Sequence, residues 1–326
     1  EFTFETFKEG IDYAHERGKK VYATINGFPF NSQIELLKTH IKKMAELKPD
    51  AFIVAAPGVV RLCREIAPEI DIHLSTQANV LNYLDAQVFW DMGVKRIVVA
   101  REISLKDVME IKKHLPDMEI EIFVHGSMCF AYSGRCLISA VQMGRVPNRG
   151  SCANDCRFEY TLYAGNDEHG SLFRLEEEPG VGTYIFNSKD MNLASHIQEI
   201  LDSGAVDSLK IEGRTKSPYY AAVTAKAYRE AIDDYYAGKF EPEKYQKELH
   251  TTKNRGFTDA YLIHKPFEKT DSQNHDYALS KGSYEVTGLV TEDEDHFYCK
   301  YKVYPNEDIE IFTPHNTVLK ECDNEI

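Results

Sequence analysis

At 326 residues, with 43% hydrophobic and 28% charged side chains and only 12 prolines, the chain has the composition of a folded globular protein with a substantial core, which excludes a disordered or low-complexity polymer. A net charge of −14 excludes indiscriminate binding to nucleic acid or to an anionic membrane surface, both of which want a broad basic face. No apolar run reaches the ~18 residues of a membrane span, and the first residues lack a basic-then-apolar secretory pattern, so a cytoplasmic protein with no membrane association is expected.

In chain order, TFETFKEGIDYAHERG reads as a helix leading into an apolar run, VYATIN (21–26). Similar β-branched runs recur as AFIVAAP (51–57), DIHLSTQ (71–77), RIVVARE (96–102), IEIFVHG (120–126) and, later, SLKIEGR (208–214). Amphipathic stretches lie between them: SQIELLKTHIKKMAEL places Ile34, Leu37, Ile41 and Met44 on one helical face. Apolar strands alternating with such helices predict an α/β fold with a parallel sheet covered on both faces. The strands end in polar residues: Asn26, His73 with Gln77, Arg101 with Glu102, His125, and Glu212 with Arg214. With no G-x-G-x-x-G and no P-loop motif to mark a doubly wound sheet, residues 1–238 are expected to form a TIM-type (βα)8 barrel with a catalytic rim at those strand ends. Only six strands are visible, so the first two are expected to lie upstream of residue 1.

An insertion at 127–207 separates the fifth and sixth runs and is expected on the rim side, with RFEYTLYAG and GTYIFNSKDM paired as strands. Beyond the long helix at 217–238, residues 239–281 read as a linker or belt. From 282 to 326 the pattern alternates at period two around the acidic turn Glu292 to Asp295, predicting a small, incomplete antiparallel β domain.

The insertion opens with Cys129 and Cys136 and continues to Cys152 and Cys156, four of the seven cysteines. Their spacing, x6, x15 and x3, lacks the C-x2-C knuckles of a zinc ribbon, and thiolates suit iron and zinc alike. An iron–sulfur cluster, a zinc ion and unligated thiols all remain open, while the isolated Cys63, Cys299 and Cys322 read as packing residues. Around the four cysteines, Arg135, Arg145, Arg149 and Arg157 face the single acid Asp155, a positive island in an acidic protein. The rim charges Lys189, Asp190, Lys210, Glu212 and Arg214 read either as an ion-pair network or as an anion site in which Asp190 or Glu212 handles a proton. His73 and His125 are candidate proton donors, Gln77 and Arg135 candidate substrate contacts, and Tyr132 a surface on which a base can stack. A peptidase finds little support in the motifs: there is no H-E-x-x-H and no G-x-S-x-G, and Ser127 is too near His125 to form a nucleophile–base pair unaided.

The stretches IFVHGSMCFAYSGRCLIS, NRGSCANDCRFEYTL, NSKDM and SLKIEGRTKSPYYAAVTAKAYREAID resemble peptidase family U32, in the family's order and over nearly the whole chain. That resemblance implies one of two activities: a collagenase-like peptidase acting on peptides, or an iron–sulfur hydroxylase that uses prephenate as cosubstrate on tRNA wobble uridine, a ribosomal RNA base or a quinone precursor. It also implies a second family member as partner. It carries the cluster ligands onto Cys129, Cys136 and Cys152, and in many relatives onto a cysteine after the Ser-Lys-Asp turn, where this chain has Asn192; Cys156 stands nearby as a replacement. The leading expectation is therefore an enzyme of RNA hydroxylation, probed against a peptidase and against a metal-stabilised RNA-binding module.

Overall fold

The computed structural model describes residues 2–129, 131–147, 151–158, 160, 163–166, 171–174, 188–214, 216–264 and most of 282–321. After helix α1 (Phe4–His15), strands β1 (Tyr22–Ile25), β2 (Ala51–Val54), β3 (Asp71–Leu74), β4 (Arg96–Val98) and β5 (Glu119–Ser127) follow one another. They are joined by α2 (Ile34–Glu46), α3 (Pro57–Ile66), α4 (Tyr83–Asp91) and α5 (Leu105–His114). Every neighbouring pair from β1 to β5 is parallel. The core is the interface between strand residues such as Phe52, Leu74, Ile97 and Ile120 and helix residues such as Ile41, Val60, Cys63 and Ile111, all fully buried. Burying a Leu- or Ile-sized side chain contributes about 1.5–3 kcal/mol, so these apolar strand and helix faces hold the layers together.

Past α6 (Ile138–Met143), the short pair β6 (Tyr163–Asn166) and β7 (Ser171–Arg174) is antiparallel. β6, within RFEYTLYAG, finds a partner a few residues on, the least costly closure of a hairpin, and the pairing expected with GTYIFNSKDM falls largely outside the described residues. Residues 182–187 lie outside the described residues. Instead β8 (Asp190–Asn192) joins the central sheet, antiparallel to the end of β5. After α7 (Ile197–Asp202), β9 (Ser208–Ile211) pairs parallel with the middle of β5. The parallel order is thus sequential, and it does not close: among the described residues β1 pairs only with β2 and β9 only with β5. The molecule is an α/β protein with a central, mostly parallel sheet, and no closed barrel is present among the described residues.

Helix α8 (Pro218–Tyr236) starts where Ser217 caps it, accepting from Tyr220 N at 3.2 Å, with Pro218 in the first turn, and it buries Tyr220, Val223, Ala227, Tyr228 and Ala231. The segment 239–281, expected as a linker, in fact supplies α9 (Pro242–Leu249) and β10 (Phe257–Thr258), which extends the sheet parallel to β8. Tyr245 and Leu249, four residues apart and completely buried, anchor α9, a two-residue signal too sparse to stand out in a polar stretch. Further on, β11 (Gly288–Val290) pairs with β12 (Phe297–Cys299), and β13 (Asp308–Phe312) with β14 (Thr317–Glu321), both antiparallel.

Besides β4, β5 pairs with both β9 and β8; it is bulged between Phe123 and His125, and Gly126 then adopts φ +131°, a region that side chains rarely enter. A Cβ there would lie 2.8 Å from the Glu212 carbonyl oxygen, so backbone meets backbone with no side chain to move aside. Gly126→Ala is expected to lower stability by at least about 2 kcal/mol, read as a drop in the urea midpoint at unchanged slope.

Candidate metal and anion site

The bulge sends the chain from β5 into the cysteine loop, and two hydrogen-bonded clips fold that loop down. Ser133, buried and at φ +40°, gives its amide to Glu102 Oε1 at 2.7 Å and its hydroxyl to the other oxygen of the same carboxylate; it also accepts from Arg101 N at 3.3 Å. Glu102 follows β4, so the Cys129 to Cys136 segment is pinned across that strand's end, and Arg135 reaches the Gln77 carbonyl after β3. Ser139, buried on α6, donates to Asp155 Oδ2 and accepts from Ala153 N at 3.1 Å, which draws the segment from Cys152 to Arg157 against α6. Asn154 N points at Cys152 Sγ, 3.4 Å away, and Tyr160 donates to the Asp155 carbonyl at 2.7 Å.

The clips bring the four thiols into one neighbourhood. Burial pushes the Cys156 thiol up; Arg157 opposes this, while Cys129, Cys152 and Cys136 each add to it, so all three lie within electrostatic reach of Cys156. All four are free thiols. Among the described residues no three His, Cys, Asp or Glu side chains are disposed as a ready metal shell. The donor chemistry, four free thiols on one loop, is of the kind that suits a thiophilic centre.

Asn192 takes no part in the thiol group. Its amide donates to Gln246 Oε1 at 2.8 Å, and its carbonyl accepts from Ala194 N at 3.1 Å and from Tyr228 at 3.4 Å. Tyr228 in turn donates to the Val124 carbonyl at 2.7 Å, so Asn192, at the position where the resemblance implied a cysteine, is committed to joining β5, β8, α8 and α9.

Beside the cysteines lies a buried charge group. Asp190, on β8, pairs with Arg255, and both are almost fully buried. The Arg255 amide also donates to Asp190 Oδ2 at 3.3 Å. Arg157 is held below its ordinary value by burial and then by Arg255, with Cys156, Asp190 and Cys129 opposing. Lys216 is likewise lowered by burial, and Arg255 and Arg157 add to this against Asp190 and Glu212. Three cations and one buried carboxylate therefore share this space, with the half-buried Glu212 at its margin. His125 packs among Tyr220, Tyr228 and Phe257, with ring centroids 5.5–5.7 Å away, and its Nε2 is buried without a hydrogen-bond partner among the described residues.

Of the residues singled out in the sequence, Cys129, Cys136, Cys152, Cys156, His125, Asp190 and Glu212 gather here. Lys189 lies close by, packed beside Gly256. Tyr132 and Arg135 sit on the cysteine loop, Tyr132 half exposed, and Arg214 is exposed beyond Glu212. His73 and Lys210 belong elsewhere. Lys210 is in register with Phe123, midway along β5, and its Nζ is 2.9 Å from Glu121 Oε1; Arg96 joins the same carboxylate at 3.1 Å. His73 stacks edge-on against Tyr22, 4.6 Å between ring centroids, beside Arg96. Lys210 belongs to an ion-pair network within the sheet and His73 packs beside Arg96 of the same network, so neither is among the residues gathered at the thiol loop. Arg255 and Lys216, central here, carry no motif: Arg255 falls in the polar stretch after α9, and only the turn-like Asn-Arg-Gly before β10 marks it. The Glu102 and Ser133 clip was equally silent, since its partners are 31 residues apart.

Both buried histidines are held neutral. Burial, and then Arg96, pulls His73 down to about 4 against Glu121, Glu119 and Asp71; burial also pulls His125 down to about 4, with Asp190 opposing and Lys216 reinforcing. An unfolded histidine takes up its proton near pH 6.5, so the unfolded state binds more protons below that pH and stability falls as the pH drops from about 6.5 toward about 4. Each histidine is expected to cost up to about 2 kcal/mol by pH 5 relative to pH 7.5, measured by chemical denaturation at the two pH values.

Sheet, thiol loop and buried charges together define an α/β protein with a candidate thiol and anion site beyond the end of β5. The sequence profile of peptidase family U32 matches residues 1–272, and the chain belongs to that family. It is 65% identical over its whole length, covering 77% of the relative, to a Helicobacter pylori protein named tRNA hydroxylation protein P. An Escherichia coli protein of the same name is 38% identical, with 98% of this chain and 79% of the relative covered. A Porphyromonas gingivalis protein named Collagenase is 30% identical over 80% of this chain and 64% of its own length.

Proposed function

We propose that this protein hydroxylates RNA, with tRNA as its substrate, in the cytoplasm. The observation that carries the proposal is the 65% identity, over all 326 residues, to a protein named for tRNA hydroxylation. Supporting it, the thiol loop presents Tyr132, half exposed, with Arg135 beside it, an aromatic ring and a cation of the kind that stack a splayed base and hold its phosphate. The sequential strand order is that of six strands of a (βα)8 barrel, which would put this loop over the barrel's rim.

Cys129, Cys136, Cys152 and Cys156 would hold an iron–sulfur cluster, Cys156 serving in place of the side chain at Asn192. Such a cluster supplies one-electron chemistry when bound; a zinc ion, the alternative, would supply structure alone. Prephenate, implied by the family resemblance, is the cosubstrate. Around that centre the chain's own residues bind and orient: the neutral His125 offers a nitrogen that can take or give a proton, Glu212 lies at its margin, and the Glu102 and Asp155 clips hold the loop in place. A peptidase is the second reading, favoured by the collagenase-named relative.

Mass spectrometry of nucleosides from total tRNA and ribosomal RNA, in a strain lacking the gene and in its parent, separates them. The proposal expects a hydroxylated nucleoside to vanish from the deletion strain. An unchanged profile, together with gelatin cleavage by the purified protein, would replace it with the peptidase.

A further inference from the structure

Asn79 is unfavourable to the fold in two ways. It ends the short 3-10 turn Thr76–Ala78 that follows β3, at φ +59° and ψ +42°, the left-handed region in which glycine is the least strained residue. Both polar atoms of its side-chain amide, Nδ2 and Oδ1, are buried, and neither has a hydrogen-bond partner among the described residues; Gln77 Oε1, two residues earlier, is in the same condition. A buried polar group left unpaired loses its water and recovers nothing. Glycine at position 79 would remove both costs, so the amide is there for a partner the described fold does not supply.

The turn belongs to the neighbourhood of the thiol loop. It lies against the turn Tyr132–Gly134, and Arg135 reaches the Gln77 carbonyl at 3.5 Å. On its other side Asn26, after β1, donates to Ser75 Oγ at 3.3 Å. Gln77 and Asn79 each reach the surface in part, and the segment from Ser75 to Asn79 carries no charge. Neutral amides select a neutral partner. A primary amide offers one donor beside one acceptor, which matches the edge of a nucleobase, and because it can turn over it suits uracil and cytosine alike.

We infer that Asn79 and Gln77 form a base-reading subsite, in which the two amides take the hydrogen-bonding edge of a pyrimidine while Tyr132 stacks on its face. The inference rests on the proposed function and deepens it, by assigning the residues that tell a base from the backbone carrying it.

The test is fluorescence anisotropy with the full chain, kept anaerobic, on three labelled RNA hexamers: hexauridylate, hexacytidylate and an abasic hexamer with the same number of phosphates. Thermal melts of every variant accompany it. The unaltered protein is expected to bind one of the pyrimidine hexamers at least about tenfold more tightly than the abasic one. Asn79→Gly and Gln77→Met are each expected to cut that preference by about fivefold or more, with binding of the abasic hexamer unchanged. Their melting temperatures should hold or rise, because each change removes an unpaired buried group and the first also relieves the backbone. Equal binding of all three hexamers by the unaltered protein, an undiminished preference in both variants, or lower melting temperatures in both, which would assign the amides to the fold, overturns the inference. So does binding of a gelatin peptide in place of the hexamers. Because the test reads binding alone, a missing preference leaves the nucleoside test of RNA hydroxylation untouched, and an unchanged nucleoside profile leaves a measured preference standing.

Discussion

Cys136→Ser, purified without oxygen, is expected to lose at least about tenfold of the bound iron and acid-labile sulfide found in the unaltered protein, and with them the visible absorption of the cluster. Removing a direct ligand acts at least as strongly as removing a group behind one, for which a loss of about 10–100-fold in metal affinity is usual. The fold around the site should persist, because the loop is held by Ser133 on Glu102 and by Ser139 on Asp155, neither of which involves the thiol. Cys299→Ser is the matched control: Cys299 is exposed on β12, and its loss should leave iron unchanged. Zinc without sulfide in the parent protein would assign the thiols to the structural alternative.

The second large effect concerns stability. Asp190→Ala leaves Arg255 buried opposite an empty position, with Arg157 and Lys216 close by and no carboxylate between them. Removing one partner of a buried ion pair costs about 3–5 kcal/mol, because the remaining charge stays desolvated. For a chain of this size that corresponds to a fall of about 4–7 °C in the melting temperature, measured by scanning calorimetry. Replacing both partners, in Asp190→Leu with Arg255→Met, should recover much of the loss.

The parallel strands β1 to β5 and β9 were legible because each is a short apolar run between amphipathic helices: five fall inside the runs quoted from the sequence and β5 extends one residue beyond its run at each end, whereas β8 and β10 of the same sheet carried no such signal. The clustering of the four cysteines in one short window was legible as well, and in the structure Cys129, Cys136 and Cys152 all lie within electrostatic reach of Cys156. What sequence could not supply was orientation. Asp190 and Lys210 look alike as charged residues near strand ends, yet β8 runs antiparallel into the end of β5 and buries Asp190 beside the thiol loop, whereas the register of β9 leaves Lys210 halfway down the sheet against Glu121. Arg255 and Lys216 were missed for a related reason: their importance comes from meeting across the fold, and neither stands in a periodic pattern. Asn192 read as a lost ligand. Its hydrogen bonds to Gln246 and Tyr228 make it a joint between strands and helices, which is why Cys156 is the better candidate to complete the four.

The central claim, that RNA hydroxylation depends on the four-cysteine centre, is tested most directly by complementation. A deletion strain is given either the unaltered gene or one in which Cys129, Cys136, Cys152 and Cys156 are all serine, with protein levels matched by immunoblot, and the nucleosides of its tRNA are measured by mass spectrometry. The unaltered gene should restore the missing hydroxylated nucleoside and the serine variant should restore none; equal restoration by both would contradict the claim.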